Sequence, residues 1–219
     1  MEKNSNLVMF LADIINALEH HRYSLSVYSN YIAIAAMYEE SSDVLELIEN
    51  ELFILAAIDK PLNSEIVAKI YGLLYGGDSD HLFSPKFKLN TNHTVKKSAQ
   101  ELKTIFPKDL MHSIRNRFVS HLDFDHEKAS SKAKKLTTTE IDNRFSEIFS
   151  IDNVEKIISL LENIYKEIST SEEINQLKKG RSGIKKYWMR YAKGASILSG
   201  LEIDESFIAL DITEQKSSI

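Results

Sequence analysis

The chain has no cysteine, a single tryptophan, and only three prolines and seven glycines in 219 residues. Without cysteine there are no disulfides and no thiolate metal sites, a composition that fits a cytoplasmic protein. The scarcity of Pro and Gly argues against a turn-rich sandwich or barrel and favours long helices. Long apolar runs are also missing. The longest uncharged one, "YIAIAAMY", falls well short of the ~18–20 residues that span a bilayer. The N-terminal "NLVMFLADII" contains Asp13 and no small-residue cleavage site, so it makes a poor signal peptide and no membrane partner is expected. Positive charge is not in excess either. The net charge of −5 gives no global pull toward nucleic acid, and any polyanion site must come from local clustering. What is present is 43% apolar residues, enough to bury a core in one large domain or a domain with an extension.

Periodicity supports an all-α bundle of about six to eight antiparallel helices. The clearest is 152–168, where Val154, Ile157, Ile158, Leu161, Ile164, Tyr165 and Ile168 share one face. A short helix is expected from Thr138 or Thr139. The first forty residues suggest two helices, 5–20 and 24–39. An apolar run to Ile58 follows Asp43 and Glu46, Pro61 is expected to end it, and 62–75 forms the next helix up to Gly76. Residues 76–93 have no usable period and are expected to be a loop. Helix resumes over 94–105, and Pro107 suits the first turn of its successor. The polar 127–135 is expected to be an exposed connector. Residues 1–170 are assigned to the bundle and 171–219 to a basic, aromatic extension packed on it or linked to it. In that extension a short helix is expected to stop at Gly180, with irregular or strand-like chain beyond.

One stretch concentrates chemistry: "SIRNRFVSHLDFDH", 113–126. On an ideal helix Leu110, Met111, Ile114, Phe118 and Leu122 form an apolar stripe, with Arg115 and His121 on its opposite edges, about 120° apart. They converge only if the helix bends or ends near Ser120, or if a second chain completes the site. Arg117 lies one turn from His121 and competes for it. The residue types suit phosphodiester cleavage. Histidine titrates near neutrality and can act as acid or base. Arginine stays charged and its fork matches phosphate oxygens. Asn116 can position either group without adding charge. Asp123 or Asp125 can orient His121. A metal held by His121, Asp123, Asp125 and His126 is the weaker reading, since on a helix only His121 and Asp125 share a face. No metal or cofactor is therefore expected. The bland reading is a surface arginine and a histidine at a helix end. His20, His21, His81, His93 and His112 are expected to be ordinary surface or helix-end residues.

"IRNRFVSHLD" resembles the signature of the HEPN superfamily: Arg115, a polar Asn116, four residues, then His121. The Asp123 that follows and the later helix 152–168 are similar to the abortive-infection branch of that superfamily. The resemblance covers roughly 5–170. It implies a helical bundle, a metal-independent ribonuclease site often completed across a homodimer, and products with a 2′,3′-cyclic phosphate. It places catalysis on Arg115, Asn116 and His121, with Arg117, Ser120 and Asp123 in support. It also implies a toxin or anti-phage effector with an antitoxin partner. Members modified by a nucleotidyltransferase antitoxin carry Tyr where this chain has Asp123, so that control does not carry over. Other members are non-catalytic modules that bind nucleotide, RNA or protein, and this is the alternative reading.

The strongest local charge signal is "LKKGRSGIKKYWMRYAKG". Seven cations occur with no acid between Ile174 and Leu201. Lys178, Lys179, Arg181, Lys185, Lys186 and Arg190, interleaved with Tyr187 and Trp188, are the expected RNA-binding residues, with the aromatics stacking on single-stranded bases. The plain alternative is a solvated helix whose aromatics pack on the bundle.

Overall fold

The computed structural model describes residues 5–37, 42–76, 82–84, 87, 89–118 and 138–199. Among them the chain is helical, with no strand. The elements are α1 (Ser5–Met37), α2 (Ser42–Tyr75), a 3-10 turn (Leu89–Thr91), α3 (His93–Ile105), α4 (Lys108–Phe118), α5 (Thr138–Ile148), α6 (Ile151–Ile168) and α7 (Ser171–Ser199). The helices expected near 94–105, from Thr138 and over 152–168 are all present.

Helix α1 is the axis, packing against α2, α6 and α7. Two apolar clusters lie along it. The larger joins its N-terminal half, including Leu11, Ile14, Ile15 and Leu18, to the C-terminal half of α2 and to α3, α4 and α6. The smaller joins Tyr23, Val27 and Tyr31 to Ile48 and Leu55 of α2 and to Ile184 and Trp188 of α7.

Three expected breaks are absent, each for a physical reason. The first forty residues form one helix, because the polar run around His20 is buried rather than looped out: Glu19, His21 and Ser24 are all interior. Residues 5–37 contain no Gly or Pro to interrupt the backbone hydrogen bonds. Helix α2 runs through Pro61 to Tyr75. A proline inside a helix costs about 3 kcal/mol. Beyond it Ile66, Val67, Ile70 and Leu73 are buried, and each such side chain returns roughly 1.5–3 kcal/mol. Helix α7 passes Gly180 and continues to Ser199, because Leu177, Ile184 and Trp188 lie on one face and anchor both sides of the glycine. Its apolar face closes the core that begins at α1. Residues 200–219 lie outside the described residues, as does 127–135.

Two local corrections follow. Pro107 precedes α4, and its carbonyl accepts the Met111 N–H at 2.9 Å. Within the expected loop, Leu82, Phe87 and Leu89 are core residues, and the Leu82 N–H donates to the Leu73 carbonyl at 3.0 Å. The Asn92 side chain caps α3 by accepting the Val95 N–H at 2.9 Å.

Candidate functional site

Helix α4 carries the Arg-Asn part of the 113–126 motif. Phe106, fully buried, sets its entry, and Tyr75 Oη donates to the Phe106 carbonyl at 2.6 Å. Burial, then the nearby Asp109 and Tyr71, push the Tyr75 hydroxyl above its ordinary pKa, so it remains a donor. Asp109 sits in the first turn of α4, where the helix dipole favours a carboxylate. Met111 and Ile114 are completely buried in the chain's own core, and Leu110 packs at its edge. Met111 and Ile114 of the expected apolar stripe are therefore internal contacts; Phe118 and Leu122 contribute no described side chain. Arg115, Asn116 and Arg117 occupy the last turn of α4 as described. Ser120, His121 and Asp123 lie outside the described residues, with Leu122, Asp125 and His126. Among the described residues no group of three His, Asp or Glu is placed to hold a metal.

The basic segment is divided by the register of α7. Leu177, Ile184 and Trp188 face inward. Trp188 is only 3% exposed, and its indole N–H donates to His20 Nδ1 at 3.1 Å. Arg181 also turns inward. It donates from Nε to Glu19 Oε1 at 2.6 Å and pairs with Glu162 on α6. Tyr191 donates to Glu51 of α2 at 2.7 Å, and burial together with that carboxylate pushes its pKa far up. Lys179, Lys186 and Arg190 are exposed on the other side, with Lys178 exposed and Lys185 half-buried on one flank. Tyr187 is 54% exposed. Of the residues expected to contact RNA, Arg181 and Trp188 are thus taken by structural contacts, and the remaining cations and Tyr187 stay accessible.

A node around Glu19 was not anticipated. Glu19 is 1% exposed, and Arg22 Nη2 approaches its Oε2 at 2.6 Å while Arg181 holds Oε1. Arg22 reaches on to Glu155 of α6 at 3.3 Å. Two guanidinium groups and three carboxylates therefore tie α1, α6 and α7 together. Next to it His20 has its pKa lowered by burial, partly opposed by Glu19, which suits an Nδ1 that accepts from Trp188. His21 is buried, with Nε2 3.0 Å from the Phe149 carbonyl. Both histidines differ from the surface residues expected. The sequence did carry a signal: Leu11, Ile15, Leu18 and Arg22 fall at i, i+4, i+7 and i+11, so Glu19 and Arg22 interrupt a core stripe.

Comparison with protein-family models, curated proteins and solved structures returns no match for this chain.

Proposed function

We propose that the chain is a metal-independent endoribonuclease that acts as a toxin or abortive-infection effector, with Arg115 on the scissile phosphate, His121 as acid or base, and Asn116 positioning. The observation that supports this reading most is the seat of the motif: Arg115 and Asn116 follow Ile114 directly, on a short helix whose inner residues Met111 and Ile114 are fully buried. A catalytic arginine needs a rigid carrier, because the charge developing on a phosphorane is stabilised only by a donor already in place. Arg117, Ser120 and Asp123 would support the site. A homodimer that completes it would meet on a surface other than Met111 and Ile114, which are interior, and an antitoxin protein would restrain it. The alternative is a non-catalytic module of the same kind that binds nucleotide, RNA or protein.

The test is incubation of purified protein with total RNA, with and without EDTA, beside Arg115→Ala and His121→Ala. Cleavage should survive EDTA, and losing a general acid-base group should slow it about 10²–10⁴-fold. His112→Ala and His126→Ala should stay active. If His121→Ala cleaves as fast as the parent at equal thermal stability, the alternative takes its place.

A further inference from the structure

We infer that the outward face of α7 is a docking surface for double-helical RNA, gripped by its phosphate backbone rather than by its bases. The choice of RNA over other polyanions rests on the ribonuclease reading; the surface itself rests on separate observations. The cations Lys179, Lys186, Arg190 and Lys193 fall on the side of α7 opposite Leu177, Ile184 and Trp188, with Lys178 and the half-buried Lys185 on one flank. By the 1.5 Å rise of a helix they extend over roughly 22 Å.

Lys69 pairs with Glu65, Arg144 with Glu147 and Lys166 with Glu162 one helical turn away, whereas α7 offers Lys178, Lys179, Lys185, Lys186 and Arg190 no acid at that spacing. Lys178, Lys179, Lys185, Lys186 and Arg190 have no ion-pair partner among the described residues, and no acid occurs between Ile174 and Leu201. Instead Lys186 and Arg190 are like charges at i, i+4, an arrangement that destabilises a helix by about 0.2–0.5 kcal/mol. Between the two cation groups lie Ser182 and Gly183. A Cβ at Gly183 would meet nothing within 4 Å, so packing does not require a glycine there. It nonetheless costs the helix roughly 1 kcal/mol relative to alanine. A low point flanked by unpaired cations gains nothing for the fold, but lets a phosphate backbone approach the helix closely.

The aromatics decide between duplex and single strand. Single-strand binding draws on stacking worth about 1–3 kcal/mol per base. Here Trp188 is buried, Tyr191 is held by Glu51, and Tyr187 alone of the three is well exposed. A broad cationic face without a stacking platform matches an A-form duplex, which is recognised by shape and by backbone contacts.

The experiment measures binding by anisotropy across a KCl series. It uses the full chain carrying His121→Ala to keep the RNA intact, and compares a labelled RNA duplex with oligo(U) of equal length. Duplex should bind at least about tenfold tighter, since oligo(U) gains little stacking here. Reversal of Lys185, Lys186 and Arg190 to Glu should weaken duplex binding about tenfold or more and make the salt slope shallower by about 2–3. Reversal of Lys96, Lys97 and Lys156, exposed cations on α3 and α6, changes net charge equally and should leave the slope unchanged. Unaltered emission from Trp188 verifies that α7 is still docked. Equal affinity for oligo(U), or an α7 reversal no worse than the control, overturns the proposal. Duplex binding through α7 by a wild-type protein that cleaves nothing supports this surface while ending the ribonuclease reading.

Discussion

Glu19 is a carboxylate in the middle of a helix, 1% exposed, yet doubly compensated by Arg22 and Arg181. Removing one partner from a buried ion pair leaves an uncompensated charge, which typically costs 3–5 kcal/mol. Arg181 is about a third exposed, so we expect Glu19→Ala to lower stability by about 2–4 kcal/mol, read as a lower urea midpoint at constant m-value. The neighbouring His20 makes a second prediction. Its pKa is lowered in the fold, so the unfolded chain takes up a proton first as pH falls. Stability is therefore complete above the unfolded value of about 6.5 and declines as pH drops from there toward the folded value, by at most about 1.4 kcal/mol per pH unit. Melting temperature between pH 7.5 and 5 should show this decline, and His20→Gln should flatten it. At the alkaline end Tyr31 works with the opposite sense. Burial, with Glu51 adding, pushes its hydroxyl up to about 12. Its contribution is present below pH 10 and is lost as pH rises from there toward 12.

The helices were legible in the sequence wherever one apolar face repeated without interruption, as in α6. Boundaries were misread where local chemistry and long-range packing disagree. Pro61 and Gly180 are helix breakers by propensity, but each stands between buried residues that hold both sides of the helix in place, and no local rule registers those partners. The Arg-Asn portion of the candidate site was visible because it is local. The Glu19 node was not, because it joins residues of α1 to Glu155, Glu162 and Arg181, more than a hundred positions away. Glycines on the helices should separate cleanly. Gly183→Ala adds a methyl group in open space and should raise stability by about 0.5–1 kcal/mol. Gly76→Ala places its Cβ 2.4 Å from the Gly72 carbonyl oxygen, so the end of α2 must shift and the melting temperature should fall. Similar effects from both substitutions would show that the C-terminal end of α2 or the middle of α7 is packed otherwise.

At the scale of the molecule, no helix among the described residues is long and apolar enough to cross a membrane, and the charge is segregated: acids exceed bases overall while α7 carries cations on its outer face. The smaller cluster makes the role of α7 testable. Trp188→Ala removes its largest side chain, and we expect a loss of about 3–5 kcal/mol together with exposure of the α1–α2 surface to hydrophobic dyes. The placement of α1 at the axis has a consequence for biosynthesis. Helix α1 leaves the ribosome ahead of two of its main neighbours, α6 and α7, and meets them only after more than a hundred further residues have been made. At ordinary elongation speeds of about 5–20 residues per second, the nascent chain displays the apolar side of α1 for several seconds before its partners arrive. Chaperone occupancy of ribosome-bound chains should therefore be high through the synthesis of α2 to α5 and fall once α7 has emerged, so that the polypeptide completes this interior only when its seventh helix has been made.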